Sequence, residues 1–184
     1  MSLRLIKAIA EAENADDLHL ARILFLLNEA GNRATKKIDG ITKLAKLDFL
    51  LRYPNCLERV VEFNKRNTES LKIKPFERTS IESKMVRFRY GPWDNRYRKW
   101  IGILVAKGLA TTEIEGRTVK VGITEAGRNC TSSLADLPEF ADFAKRSNII
   151  FTNVGNLGAT SLKDFIYRVF PEIISLKWGT GIEL

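Results

Sequence analysis

Seven cations lie between Lys84 and Lys107 (Lys84, Arg87, Arg89, Arg96, Arg98, Lys99 and Lys107) against the lone carboxylate of Asp94, a local balance of +6. Tyr90, Trp93, Tyr97 and Trp100 are interleaved with them. Guanidinium groups bond phosphates bidentately, and aromatic rings stack or pin a backbone. The chemistry suggested is capture of a polyanion, with double-stranded DNA as the candidate ligand. A second basic stretch, Asn32 to Arg52, sets Arg33, Lys36, Lys37, Lys43, Lys46 and Arg52 against Asp39 and Asp48, a balance of +4. The plain alternative is that the rings form core and the cations solvate its edge. Tyr97 and Trp100 share an apolar stripe and are assigned to core, whereas Trp93 lies in a turn.

Covalent and metal chemistry find no comparable footing. Hydrolysis or group transfer needs a nucleophile beside a base, a carboxylate pair in a pocket, or a metal cluster. The chain has one histidine, His19, and two cysteines, Cys56 and Cys130, all remote from one another in sequence. His19 reads as an exposed helical residue and the cysteines as small buried hydrophobes. Asp16-Asp17 and Glu113/Glu115 read as a solvated cap and a solvated hairpin. The glycines of Asn153–Ser161 lack the lysine-serine/threonine pair that grips phosphate and metal in a nucleotide loop. No enzyme activity, catalytic residue, cofactor or metal site is therefore expected.

The chain has 184 residues, 45% hydrophobic and 28% charged, with a net charge of +8. Those figures describe a soluble globular protein of one domain, or one domain with an appendage. No apolar run nears the roughly 20 residues that cross a bilayer. At the N-terminus, Glu11 and Glu13 stand where a signal peptidase needs small neutral residues. A cytoplasmic location without membrane contact is the expectation.

The elements that must position the cations follow from periodicity and punctuation. A short helix is predicted through Leu3, Ile6 and Ile9. A firmer helix follows from Leu18 to Ala30, capped by Asp16 and ended by Gly31. Ile38-Asp39-Gly40 reads as a short extended piece with a turn. A helix from Ile41 to Leu51 buries Leu44, Leu47, Leu50 and Leu51 and carries Lys43 and Lys46 on its outer face. Another runs from Cys56 to Lys65. Residues 66–83 read as a connecting loop with a short strand near Leu71–Ile73, and Met85–Tyr90 as an alternating run. Asp94 is the candidate N-cap of a helix over Asn95–Lys107, closed by Gly108. Two β-branched runs, Leu109–Ile114 and Thr118–Ile123, meet at Glu115-Gly116, where glycine supplies the positive φ of a hairpin turn. Thr124 caps a helix to Ser133, weakened by Gly127. Helices over Glu139–Arg146 and Leu162–Phe170, the latter capped by Thr160 or Ser161, flank a loop at 153–161. Pro171 ends the second.

Helix, hairpin and new helix make the second half of a winged helix-turn-helix. The expected fold is mainly α with a small β-hairpin (α+β). A winged helix-turn-helix core spans 14–134, including the loop 66–83, and a C-terminal helical extension spans 135–184. Lys99-Trp-Ile-Gly-Ile-Leu-Val-Ala-Lys-Gly-Leu-Ala110, Gly116-Arg117, Val119 and Thr124-Glu-Ala-Gly127 resemble the closing half of bacterial winged-helix proteins. Three further pieces resemble the middle component of bacterial ABC-three-component systems: Ile41–Pro54, Arg89-Tyr-Gly-Pro-Trp-Asp94, and Leu162–Tyr167 before Phe170-Pro-Glu172. That resemblance implies a non-enzymatic winged-helix subunit. Its implied partners are an ABC-type ATPase and a third, effector-like component, in proposed defence against invading DNA.

Two functional readings result. In the first the chain is an adaptor in such an assembly and contacts DNA as an accompaniment. In the second it is a stand-alone DNA-binding transcriptional regulator. The candidate DNA face comprises Arg87, Arg89, Arg96, Arg98, Lys99 and Arg117, with Lys43 and Lys46 on the earlier helix. Glu113 and Glu115 would repel phosphate at the wing, and Trp100-Ile101-Gly102-Ile103 is apolar for a base-reading helix. Phe165, Ile166, Val169, Phe170 and Trp178 form an apolar tail. It either folds over its own domain or docks on another chain, an ATPase or a second copy in a homodimer. Which of Ile41–Leu51 and Asn95–Lys107 is the recognition helix is left open.

Overall fold

Helix α1 (Asp16–Gly31) is buried on every side from His19 to Leu27, with Arg22 as the charged side chain in an otherwise apolar run from Leu20, and a helix of that kind belongs in the interior. In the structure, a computed structural model describing residues 16–34, 36–79 and 85–182, α1 is the central rod. The predicted helix through Leu3, Ile6 and Ile9 lies outside the described residues. Strand β1 (Lys37–Asp39) leads through Gly40, at φ +100°, into α2 (Ile41–Arg52), which packs along α1. Helix α3 (Pro54–Phe63) starts on a proline whose fixed φ suits the first turn. The segment expected as a loop with a strand instead forms two 3₁₀ turns, Glu69–Leu71 and Pro75–Thr79. Arg146 supplies the side-chain clamp that a polar, aperiodic segment requires. Its guanidinium donates to the Leu71 carbonyl and to both oxygens of Glu77, at 2.6 and 2.8 Å.

A two-stranded ribbon follows, β2 (Val86–Phe88) against β3 (Gly91–Trp93). Helix α4 (Tyr97–Ala106) closes at Gly108, whose φ of +71° is the left-handed conformation expected there. The hairpin β4 (Ala110–Glu115) and β5 (Thr118–Ile123) turns at Gly116, φ +59°. Strand β1 adds to its other side, with Ile38 opposite Val121, so a three-stranded antiparallel sheet in the order β1-β5-β4 replaces the lone hairpin. Thr124 caps α5 (Glu125–Ala135) by accepting the Gly127 N–H at 2.9 Å. A Cβ at Gly127 would lie 2.1 Å from the Leu109 carbonyl, so this glycine serves a close backbone approach.

Helix α6 (Ala141–Val154) runs eight residues beyond the expected Arg146 because Ile150, Phe151 and Val154 continue its buried stripe. Helix α7 (Ala159–Val169) starts at Gly158, without a side-chain cap, and α8 (Pro171–Ser175) follows. Phe165, Ile166, Val169 and Phe170 are buried, which corrects their expected role as a docking face. Phe170 sits edge-to-face on Phe49 at 5.5 Å and Phe165 on Phe63 at 5.6 Å. Their stripe is consumed by α2 and α3, and one hydrophobic core runs through both 16–134 and the C-terminal helices. The chain then returns to β2: Arg87 N–H donates to Thr180 and Ile182 N–H to Met85.

Candidate nucleic-acid and docking interface

Beneath α4 lies an ionic network that sequence patterning does not reveal. Asp48, in α2, is buried and accepts bonds from Arg22 Nε at 3.0 Å, Arg52 Nη2 at 3.1 Å and the Tyr97 hydroxyl at 2.7 Å. Burial alone would raise its pKa, but Arg22 and Arg52 outweigh that and hold the carboxyl below its usual range. Arg52 also donates to Asp94 at 3.1 Å. Asp94, expected to cap α4, accepts the Arg96 backbone N–H and, from the same residue's guanidinium, bonds at 3.0 and 2.8 Å. Burial opposes ionisation of Asp94, yet Arg96 and Arg52 prevail and depress its pKa.

His19 belongs to this network and is not an exposed residue. It is 3% accessible, and its ring stacks on Trp100 at 4.3 Å. Arg22 Nη2 lies 2.5 Å from its Nδ1. Arginine has no acceptor, so Nδ1 accepts and the neutral ring carries its proton on Nε2. Burial, then Arg22 and Arg52, lowers its pKa to about 4.

The structure divides the candidate DNA-binding residues into three groups. Lys43, Lys46 and Arg87 are buried, which overturns the exposed-face placement of the two lysines. Lys43 Nζ donates to the Gly155 carbonyl at 3.0 Å and Lys46 Nζ to the Thr42 carbonyl at 2.8 Å. Burial, with Lys163 nearby, lowers the Lys46 pKa to about 8. Arg87 Nε donates to the Ile173 carbonyl at 3.1 Å, and its Nη1 donates to Phe88. In the second group, Arg96 is held by Asp94 and Lys99 by Asp16 at 2.5 Å, so neither cation is without a carboxylate partner. In the third, Arg98 and Arg117 are exposed and have no carboxylate partner among the described residues, while Arg89 lies over its neighbour Tyr90 at 5.3 Å.

Arg98 stands where two surface features meet. On one side is a recess of about 190 Å³ walled by Phe88, Tyr90, Pro92 and Trp93. Phe88 stacks on Trp93 and touches Trp178, which is 65% exposed and alone keeps the solvent-facing placement expected of the apolar tail. On the other side an open groove of about 480 Å³ runs between α4 and the hairpin, lined by Ile41, Ile101, Gly102, Val105 and Val119. Sequence reading did not assign these residues to a site, although the apolar run at 100–103 was the available signal.

The β4–β5 hairpin is less acidic in effect than its composition. Glu113 pairs with Lys37, Glu115 with Lys120, and Lys120 also with Asp39. These side chains occupy one face of the sheet. Thr112, Ile114 and Val119 alternate onto the other, toward the groove.

The described residues contain no group of three or more His, Cys, Asp or Glu placed to hold a metal ion, and no helix long and apolar enough to cross a membrane. Cys56 is buried, and burial pushes its thiol pKa up to about 12. Comparison with family models, curated proteins and solved structures found no match for the chain.

Proposed function

We propose that the chain is a non-enzymatic adaptor: a winged helix-turn-helix unit with a C-terminal helical extension. In this reading it links an ABC-type ATPase to the third component of a bacterial ABC-three-component system. The order α1, β1, α2, α4, β4, β5, with β1 beside β5, supports the winged-helix assignment. In this reading Gly116-Arg117 is the wing tip, α4 is the helix in the recognition position, and the segment from α3 to β3 is an insertion. The observation that carries the adaptor reading is the outward face of α4, where Gly102 and Val105 border an aliphatic groove. Most cations expected beside it are buried or paired. Such a face suits protein better than phosphate.

Co-expression of the tagged chain with an ABC-type ATPase and third component of such a system tests this reading. A stoichiometric complex is expected, and recovery of the chain alone would overturn it. Arg98, Lys107 and Arg117, exposed and without a carboxylate partner among the described residues, favour DNA contact as the second reading. Random duplex DNA titrated by fluorescence anisotropy at two salt concentrations measures that contact. Three phosphate contacts predict weak binding with a log–log salt slope of about −3, at roughly −0.9 per phosphate neutralised. A much steeper slope would restore the stand-alone DNA-binding regulator.

A further inference from the structure

The groove between α4 and the hairpin segregates charge in a way that defines its occupant. Apart from Arg98 and Thr112 its lining is aliphatic, and no carboxylate among the described residues is part of it. Arg98 lies along one wall, Lys107 follows α4 directly, and Arg117 stands at the hairpin tip. All three are exposed and lack an ion-pair partner among the described residues. The hairpin's acidic side chains, Glu113 and Glu115, lie on the opposite face and pair with lysines there. Ile114, 76% exposed and opposite Val119 in the ladder, extends the apolar strip beyond the groove.

Gly102 supplies an independent reason to expect close approach. It stands inside α4, where glycine is a poorer choice than alanine. A Cβ there would meet nothing within 4 Å among the described residues, so no contact within them explains the missing side chain. The opening faces outward beside Val105, where an approaching backbone would use it.

Resting on the adaptor reading, we infer that this groove docks an amphipathic α-helix of a partner protein, with an aliphatic stripe flanked by glutamates or aspartates. The stripe covers Val105, Val119 and Ile114 above the buried Ile101, and the acidic flanks answer Arg98, Lys107 and Arg117. Duplex DNA could satisfy the cations but would leave the aliphatic strip facing phosphate and water.

The test is selection of a displayed library of amphipathic helical peptides against the full chain, followed by anisotropy titration of the selected peptides. Acid-flanked helices are expected, binding about tenfold more weakly to Gly102→Gln and several-fold more weakly to Arg98→Gln. Gly102→Gln melts at or above the wild-type temperature, which separates blocked docking from misfolding. The inference is overturned if nothing is enriched, if basic or neutral flanks are enriched, or if selected peptides bind Gly102→Gln unchanged. It is also overturned if random duplex DNA alone occupies the groove and Val105→Glu abolishes that binding. Failure here with an intact ATPase complex would relocate the docking surface and spare the adaptor reading; loss of the complex in wild type would remove the adaptor reading itself.

Discussion

Helices α2 and α4 both look basic in sequence and put their cations to opposite uses. α2 is enclosed by α1, α3, α6, α7 and the sheet, so Lys43, Lys46 and Arg52 are all inside. There the arginine survives through Asp48 and Asp94, and the lysines through backbone carbonyls. α4 has one covered face, formed by Tyr97, Trp100, Ile101 and Leu104, and keeps Arg98 and Lys99 in solvent. Local net charge describes a surface only where the helix has a free side, and the number of neighbours decides that.

Removing the centre of the buried network should have the largest effect. Asp48→Ala leaves Arg22 and Arg52 facing a gap, and breaking a buried ion pair costs about 3–5 kcal/mol. Thermal melting should fall by roughly 10 °C for a chain of this size. A loss below about 1 kcal/mol would mean that Asp48 is not the counter-charge α2 depends on.

His19 gives the contrast a pH signature. Its folded pKa of about 4 lies below the ordinary 6.5, so the unfolded chain takes up this proton first as pH falls. Its contribution is complete above pH 6.5 and is lost as pH drops toward 4, amounting to about 2 kcal/mol between pH 6.5 and 5. His19 is the sole histidine, and His19→Phe, which keeps a ring against Trp100, should flatten urea-derived stability across that window. An unchanged slope would place the titration elsewhere.

Two helical glycines sharpen the comparison further. Gly127→Ala drives a Cβ toward the Leu109 carbonyl and should destabilise by about 1–3 kcal/mol. Gly102→Ala meets open space and should stabilise by about 0.5–1 kcal/mol. Equal effects in denaturant titrations would refute the distinction between a packed and a vacant site.

The smallest effect belongs to Lys46→Met. The ammonium's pKa of about 8 lies below the ordinary 10.5, so burial disfavours the charge, and its elimination should change stability by less than about 1 kcal/mol. Any gain should be largest below pH 8 and shrink as pH rises toward 10.5, because the lysine then loses its proton in both states. Duplex DNA affinity should be unaltered, since Lys46 is inside.

Local punctuation was readable. Gly108, Gly116 and Thr124 marked the end of α4, the hairpin turn and the start of α5, because caps and tight turns are decided within a few residues. Burial across long separations was not. Leu44, Leu47 and Leu51 marked one stripe of α2, and nothing in a 3.6-residue period says that the remaining sides are covered too. His19 reads as exposed until Trp100 is placed on it. Asn153 and Gly155 advertised a loop, yet Ile150, Phe151 and Val154 found partners that kept α6 helical. Of the candidate site, the cation types were legible, but which of them remain free depends on Asp16 and Asp94, whose partners only the fold selects.

The return of residues 180–182 to Met85 and Arg87 sets an order of events during synthesis. Met85 and the β2 strand emerge from the ribosome well before the segment that completes their hydrogen bonding. At elongation rates of roughly 5–20 residues per second that interval is on the order of ten seconds. Until it passes, Phe88, Trp93 and the unpaired edge of β2 form a sticky ribbon on an otherwise assembling domain. Pulse-labelled nascent chains should therefore show chaperone occupancy concentrated on this stretch, released once the closing segment arrives.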